Sequence, residues 1–385
     1  MSLASQALCK LLGIRQPLIQ APMAGVQGSA LAIAVSQAGG LGSLPCAMLS
    51  PEQISSEIEA IRAATSDSGR DALPYNLNFF CHTPPPPDVA TPEREAAWRK
   101  LLSPYYAEHA IDPSKIPAGA GRAPFSDALC DLIAPFAPTV VSFHFGLPAP
   151  HLVARVKAWG GTVLSSATTV AEATWLEAHG ADAIIAQGME AGGHRGVFFL
   201  RGQHGTHEGL SSTFPEDWQA ELATQQGTFT LLPQIIAAVK VPVIAAGGIA
   251  SPQAVQAAIA LGASTVQIGT AFMLCDEATT NPLHRAALRR SAAHPELHHT
   301  ELTTLFTGRP ARGIPNRLMR ELGAINAAAP VFPTSTAAIA PLRAAAEKAG
   351  LTDFSPLWSG QNASGCRAVS ASQLMANLLG IQQAT

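Results

Sequence analysis

The sequence predicts an α/β fold, a (β/α)8 TIM barrel with a helical lid and an insertion, and three observations support it. Short apolar runs alternate with amphipathic helices, which is typical of parallel strands that are buried on both faces. These runs number eight, whereas a doubly wound sheet usually has about five or six strands. The chain of 385 residues is 47% hydrophobic and only 13% charged, which indicates a large buried core.

The eight predicted strands are short apolar runs, most of which end near glycine or a small residue. They are Pro17–Pro22, Leu41–Leu44, Tyr75–Phe80, Thr139–Phe145, Thr162–Ala167, Asp182–Gln187, Val241–Ala246 and Thr265–Gly269. Helical spacing predicts helices between them, and Ser50 before Pro51 is a typical helix start. These helices are Ser29–Gly39, Pro51–Thr65, His151–Trp159, Val170–His179, Leu231–Val239 and Pro252–Leu261.

Two segments interrupt or follow the barrel repeat. Residues 82–136 form an insertion after the third strand, with four consecutive prolines in His82–Asp88 and helices predicted at Glu93–Leu102 and Phe125–Ile133. Residues 276–325 follow the eighth strand and are expected to form a helical lid. Its predicted helices are Asn281–Ala292, Pro295–Thr304 and Asn316–Ala324. Residues 1–81, 137–275 and 326–385 then form the barrel, against which helices Thr334–Ala349 and Ser370–Leu379 are expected to pack.

Composition argues against several classes of function. The net charge is −3 and the 24 Lys and Arg residues are scattered, so no basic surface for nucleic acid is expected. No apolar run approaches the ~18 residues of a membrane-spanning helix, and the N-terminus lacks the pattern of a signal peptide. The six cysteines have no metal-ligand spacing. A reduced, cytoplasmic location without a metal site is therefore expected.

The predicted strand ends carry amides, hydroxyls and glycines but almost no charge, and barrel active sites are built there. Gly247-Gly248 and Gly269-Thr270 follow the seventh and eighth strands, where many barrels bind phosphate. Glycine lets backbone N–H groups approach phosphate oxygens. One such corner could be only a tight turn, but two on neighbouring strands favour a phosphate-bearing ligand. A phosphate together with a ring of neutral donors and acceptors indicates FMN. A dinucleotide site is disfavoured because no G-x-G-x-x-G follows a strand.

Histidine is the natural general base near neutral pH, and His194 lies in a glycine-rich segment directly after the sixth strand. This position predicts a catalytic base at the mouth of the barrel. His144 ends the fourth strand and could face either the cofactor or the barrel core. The remaining histidines are expected to be structural or exposed, because no HExxH pattern indicates zinc.

These motifs together resemble the class I nitronate monooxygenases, a family once called 2-nitropropane dioxygenases. The stretches that carry the resemblance are PLIQAPMAG (17–25), NLNFF (76–80), SFHFG (142–146), SSATTVAEA (165–173), AQGMEAGGHRG (186–196), PVIAAGGIA (242–250), VQIGTAF (266–272), FTGRPARGIPNR (306–317) and LWSGQ (357–361). They cover nearly the whole chain. The resemblance implies an FMN-binding TIM barrel with a smaller lid domain.

The resemblance also implies roles for individual residues. His194, the histidine of AGGH, would be the catalytic base, and Trp358 and Gln361 are candidates to return to the cofactor. The implied FMN contacts are Met23, Asn78, Gln187, Gly192, Gly193, Gly247, Gly248, Gln267, Ile268, Gly269 and Thr270. The implied reaction is oxidation of an alkyl nitronate with O2 to a carbonyl compound and nitrite, without NAD(P)H.

Propionate 3-nitronate is the substrate expected for the class, and its carboxylate needs a cation. The candidates are Arg195, Arg309, Arg312 and Arg317, and His144 is a further substrate candidate. The main alternative function is a flavin-type enoyl-acyl carrier protein reductase that uses NAD(P)H, which shares QAPMA and AGGH. The segment from His82 to Pro138 and the FTGRPAR motif favour the monooxygenase. Two further functions stay open, a flavin-binding protein without activity and a barrel that binds a sugar phosphate without flavin. The sequence also leaves a homodimer open.

Overall fold

The computed structural model describes residues 2–66, 72–85, 90–117, 122–199 and 218–381. Its strands are β1 Leu18–Gln20, β2 Gly42–Pro45, β3 Tyr75–Phe80, β4 Val140–His144, β5 Thr162–Ala167, β6 Ala183–Gln187, β7 Gly193–His194, β8 Val243–Ala246, β9 Thr265–Ile268, β10 Glu301–Thr303 and β11 Ala311–Gly313. Its α-helices are α1 Leu3–Leu12, α2 Ser29–Gln37, α3 Pro51–Ser66, α4 Pro92–Glu108, α5 Asp127–Ile133, α6 Pro150–Ala158, α7 Val170–Ala178, α8 Trp218–Leu222, α9 Thr228–Ala238, α10 Pro252–Ala260, α11 Pro282–Ala293, α12 Arg317–Leu322, α13 Thr336–Lys348 and α14 Ala371–Leu379. Part of the proline run, residues 86–89, lies outside the described residues.

Eight parallel strands form the barrel, as the sequence predicts. Their order is β1-β9-β8-β6-β5-β4-β3-β2, and the two ends meet through a parallel bridge between Ile19 and Leu41. The Gln20 N–H donates to the Leu41 carbonyl at 2.9 Å across this seam. All eight predicted barrel strands are confirmed, including the short Leu41–Leu44 run.

An N-terminal helix that the sequence analysis did not anticipate covers the barrel interior. Helix α1 begins after Ser2, whose side chain caps it, and ends at Gly13 in the left-handed region (φ 68°). Its buried face, Leu8 and Leu12, belongs to one apolar cluster with Ile19, Leu41, Val140, Leu164, Ile185 and Ile244 from the strands. The opposite, carboxyl ends of the strands are therefore the open end of the barrel.

A small three-stranded sheet joins the lid to the His194 loop, and one of its strands lies in a segment that the sequence predicts as helix. Strands β10, β11 and β7 pair antiparallel in that order. The predicted helix Pro295–Thr304 is wrong: only Pro295–Leu297 makes a single 3-10 turn, and Glu301–Thr303 is a strand. Alternating side chains and threonines suit a strand, and pairing with β11 satisfies the backbone groups of the segment.

A second hydrophobic core connects the insertion, the lid and α13. It contains Trp98 and Tyr106 of α4, Phe306 and Leu318 of the lid, and Leu342 of α13. The Tyr106 hydroxyl donates to the Ala338 carbonyl at 2.7 Å. Helix α13, expected to pack on the barrel, thus packs on the insertion instead, whereas α14 belongs to the barrel core. The division at 82–136 and 276–325 stays a proposal.

Candidate active site

A large cavity opens at the carboxyl ends of the barrel strands. The sequence-predicted residues that line it are Met23, Asn78, His144, Gln187, Gly192, Gly193, His194, Gly247, Gly248, Gln267, Ile268, Gly269 and Thr270. Trp358 also lines it. Gln361 does not, although its backbone N–H donates to the Glu190 carbonyl at 2.9 Å.

The cavity wall includes backbone N–H groups at the β8 and β9 corners. Gly247 and Gly248 have φ angles of 122° and 69°, in the region that favours glycine. No described residue accepts a hydrogen bond from the N–H groups of Gly247, Gly248, Gly269 or Thr270. The Asn362 amide donates to the Gly248 carbonyl at 3.0 Å and fixes that corner. Unpaired N–H groups at such corners are typical of an anion site.

The amides along the cavity wall have different hydrogen-bond states. Asn78 donates to the Ser142 hydroxyl at 2.9 Å, so its amide is held by the barrel. The Oε1 atom of Gln267 is buried and receives no hydrogen bond from a described residue. Because buried polar atoms are almost always paired, this oxygen fits a ligand that has an N–H donor.

The loop that carries His194 is held on both sides. Gln187 donates to the His194 carbonyl at 2.9 Å and accepts from the Gly196 N–H at 2.8 Å. A Cβ atom at Gly192 would lie 2.5 Å from the Gly360 nitrogen, so only glycine fits there. Strand β7 then pairs with β11, with His194 opposite Ala311. The backbone of His194 is therefore fixed by the barrel and by the lid.

Thr307 fixes the tautomer of the His194 ring. The His194 Nε2 atom lies 3.0 Å from the Thr307 hydroxyl oxygen, and that hydroxyl donates its proton to the Arg309 carbonyl at 3.2 Å. With its proton used in this way, the Thr307 oxygen accepts from His194, which assigns the ring proton to Nε2 and the lone pair to Nδ1.

Burial holds the pKa of His194 well below its usual value, and the nearby Arg122, His144, Arg309 and His82 lower it further. The imidazole is therefore neutral at pH 7. Its Nδ1 atom can therefore accept a proton at this pH, but the lowered pKa makes it a weak base.

An aromatic wall surrounds this histidine. The ring centres of Phe80, Phe145 and Phe332 lie 5.9, 5.8 and 5.6 Å from that of His194. Phe145 has a φ of 69°, an uncommon conformation for a bulky residue that often marks a functional site. Phe80 is part of the cavity wall, so apolar surface lies next to the His194 ring.

His144 faces the cavity. Its Nδ1 atom lies 2.6 Å from the Ser166 hydroxyl and its Nε2 atom 3.3 Å from the His194 carbonyl oxygen. Burial is the main cause that lowers the pKa of His144 to about 3. It is thus a neutral side chain that supports the His194 loop.

Comparison with known proteins identifies the family. The family model described as nitronate monooxygenase matches residues 5–380. This chain belongs to the nitronate monooxygenase family. It is 40% identical to a nitronate monooxygenase of Pseudomonas aeruginosa, over 96% of this chain and 97% of that protein. It is 38% identical to one of Paraburkholderia phytofirmans, over 97% of this chain and 94% of that protein. The protein is therefore an oxidoreductase of the nitronate monooxygenase type.

Solved structures agree with this assignment. A nitroalkane oxidase from Streptomyces ansochromogenes superposes with a TM-score of 0.80 at 35% identity and covers 97% of both chains. FabK from Thermotoga maritima has a TM-score of 0.64 at 23% identity, over 97% of this chain and 94% of that chain. The second likeness shows the shared fold alone.

Arg195 and Arg312 are not part of the cavity wall. Arg195 is fully buried and donates to the carbonyls of Gly188 at 2.6 Å and Gln187 at 2.8 Å. Arg312 donates to the carbonyls of Met189 at 2.8 Å and Thr300 at 3.1 Å. Their placement corrects the expectation of a substrate contact, because both guanidinium groups already hold backbone carbonyls.

The other two arginine candidates differ from each other. Arg317 forms ion pairs with Glu108 and Glu321 outside the cavity. Arg309 lies beside the aromatic wall, with its Cζ atom 4.2 Å from the centre of the Phe145 ring.

Sequence reasoning missed one cation that lines the cavity. Arg122, from the insertion, is part of the wall, and nothing in the local sequence distinguishes it from other arginines.

In the described ranges no three His, Cys, Asp or Glu side chains gather as a metal site requires. Every helix there also falls short of the length and hydropathy that crossing a bilayer demands.

Proposed function

We propose that this family member is an FMN-dependent enzyme that oxidises alkyl nitronates, propionate 3-nitronate above all, with O2 to a carbonyl compound and nitrite. The observation that carries the proposal is that free N–H groups of the β8 and β9 corners and the neutral His194, with aromatic rings around it, line the same cavity. The first suits a phosphate and the second suits a small nitro compound.

The described residues fit FMN. The N–H groups of Gly247, Gly248, Gly269 and Thr270 would bind the phosphate, and Gln267 Oε1 would accept from an N–H of the ring system. The remaining proposed contacts are Met23, Asn78, Gln187, Gly192, Gly193 and Ile268, which all line the cavity. Bound FMN would supply the one-electron oxidation of the nitronate and the subsequent reduction of O2.

His194 has two proposed tasks. Its Nδ1 atom accepts the α-proton when a neutral nitroalkane enters, and the Nδ1–H group so formed donates to the nitro oxygens of the resulting nitronate. A nitronate that enters directly binds through the same group once Nδ1 carries a proton. Proton abstraction converts the imidazole to an imidazolium, which burial and the nearby cations disfavour. The same cations stabilise an anionic ligand. We therefore expect the nitronate, not the neutral nitroalkane, to be the better substrate.

The purified protein tests this proposal directly. We expect a yellow protein that releases FMN on denaturation and consumes O2 with propionate 3-nitronate, without NADH. Rapid reduction of the flavin by NADH, coupled to reduction of a crotonyl thioester, would instead establish the enoyl reductase alternative. A colourless purified protein would contradict the assignment of FMN as the cofactor.

Replacing the proposed base gives a sharper prediction. His194→Asn should lower kcat/KM for proton abstraction from nitroethane by at least about a hundredfold, because general base catalysis contributes roughly 10²–10⁴. The exposed His151 supplies the matched control, and His151→Asn should leave the rate unchanged. Undiminished turnover by His194→Asn would show that another group takes the proton.

A further inference from the structure

Two arginine side chains beside the cavity have unused hydrogen-bond donors. The Nη1 atom of Arg122 and the Nε and Nη1 atoms of Arg309 are buried, and no described residue accepts a hydrogen bond from them. The Cζ atoms of both residues lie 5.7 Å from the centre of the Phe332 ring. A buried cation without a counter-ion is costly, so this region suits an anionic ligand.

No carboxylate of the described residues neutralises the pair. Glu172 is the one carboxylate among them that acts on Arg309, and its oxygens already accept four hydrogen bonds. Burial lowers the pKa of Arg309 to about 10 and lowers that of Arg122. Both residues remain cations at neutral pH.

The two arginines are not equivalent. Arg122 forms part of the cavity wall, and its Nη2 atom lies 3.9 Å from the sulfur of Met48, another residue of that wall. Arg309 has its guanidinium group stacked on Phe145 and is not part of the wall. The Phe332 ring that both approach is also 5.6 Å from His194. His194 and Arg122 both line the cavity, and Arg122 is close enough to lower the pKa of His194, so one small ligand can lie between them.

We propose that Arg122 is a specificity-determining residue that binds a second anionic group on the substrate, at the opposite end from the nitronate. This inference rests on the proposed nitronate oxidation. Arg309 supports the site through its charge. The enzyme then prefers nitronates that carry a carboxylate to those with an alkyl tail, and the insertion sets this preference because it carries Arg122.

The experiment compares Arg122→Gln and Arg122→Lys with the control Arg290→Gln. Arg290 is an exposed arginine on α11, so its replacement removes the same charge at a position away from the cavity. Each holoenzyme is assayed with propionate 3-nitronate and with propyl-1-nitronate, which lacks the carboxylate. Succinate serves as a probe that cannot be oxidised, because a carboxylate replaces the planar nitronate at the same chain length. Its inhibition constant and its shift of the thermal unfolding midpoint are measured separately.

We expect Arg122→Gln to lower kcat/KM for propionate 3-nitronate at least about tenfold, mainly through KM, as loss of one buried charged partner does. The value for propyl-1-nitronate should change less than about threefold by the same reasoning. Arg122→Lys should recover part of the loss, and succinate should bind Arg122→Gln more weakly. Equal losses for both nitronates, or an unchanged succinate constant, would overturn the proposal.

Failure of the proposed function gives a different result. A wild-type holoenzyme that oxidises neither nitronate refutes nitronate oxidation. The succinate-induced shift in unfolding midpoint then decides the role of Arg122. A shift that Arg122→Gln abolishes and Arg290→Gln retains supports the anion site, and the absence of a shift in wild type refutes it.

Discussion

The single proton of the Thr307 hydroxyl decides which nitrogen of His194 can act as a base. Because that proton goes to the Arg309 carbonyl, the histidine must donate from Nε2, and Nδ1 is left with the lone pair. Thr307, which lies in a loop of the lid, thus determines the tautomer of a histidine that a barrel loop carries. Thr307 is the threonine of the FTGRPAR motif, so this hydrogen bond gives a physical role to one residue of that motif.

Thr307→Val removes this hydroxyl with little change in shape. The Nε2–H group of His194 loses its acceptor in a buried environment, so the ring is free to adopt the other tautomer and orientation. We expect kcat/KM for a nitronate to fall roughly tenfold to a hundredfold, because a misplaced catalytic group lowers the rate by factors of this size. Thr307→Ser keeps the hydroxyl and should retain most of the activity. Equal activity of the valine and serine variants would contradict the assignment of the tautomer.

At the scale of elements, the loop after His194 depends on a buried carboxylate of α7. Glu172 is fully buried and accepts from the Thr168 N–H and hydroxyl at 2.6 and 2.7 Å. It also accepts from the N–H groups of Phe198 and Phe199 at 2.7 and 3.1 Å. Burial is the first cause acting on this group and raises the pKa of Glu172. The hydrogen bonds oppose that effect.

Glu172→Gln places an amide donor among four donors. At least one backbone N–H then loses its acceptor, which costs about 1–3 kcal/mol. We expect the free energy of unfolding to fall by about that amount in urea denaturation, with faster hydrogen exchange at Phe198 and Phe199. The exposed Glu59 gives the control, Glu59→Gln. A variant as stable as wild type would show that the loop does not rely on this carboxylate.

The sequence predicts the barrel well and the lid poorly, for a physical reason. Parallel strands buried on both faces have continuous apolar runs, and even the short strand β2, Gly42–Pro45, is predicted, as the run Leu41–Leu44. Strand β10 has no such run and depends on pairing with β11. Long-range pairing of this kind leaves little mark on the local sequence.

The same contrast holds within the candidate site. The glycine corners and His194 follow predicted strands, so the sequence indicates where they meet. Arg122 lies far from these motifs along the chain and reaches the cavity only through the packing of the insertion. Arg195 shows the opposite error: it follows His194 directly, yet its side chain turns into the protein.

On the scale of the whole molecule, several buried histidines stay uncharged in the folded state. Burial is the largest cause in each case, and it lowers the pKa of His82 to about 4, of His144 to about 3 and of His284 to about 4. The unfolded chain binds protons at these residues near pH 6.5. The folded protein therefore binds fewer protons below that pH.

Stability should consequently fall on acidification. Between about pH 6 and pH 4.5 each such histidine should reduce the free energy of unfolding by up to about 1.4 kcal/mol per pH unit. Urea denaturation across this range measures the slope. His284→Asn should lessen the slope, because it removes one of these buried histidines. A stability that is constant down to pH 4.5 would contradict the depressed pKa values.

The pairing of β7 with β11 also limits how this fold can be recombined. Gly193 and His194 from the barrel loop form backbone pairs with Arg312 and Ala311 of the lid. A lid transplanted from a relative must therefore reproduce this strand register as well as its own interior. We expect chimaeras joined within this sheet to fail, and those that exchange β7, β10 and β11 together to succeed. The three-stranded sheet is thus the part of the fold that must be exchanged as one piece, because its strands come from both segments.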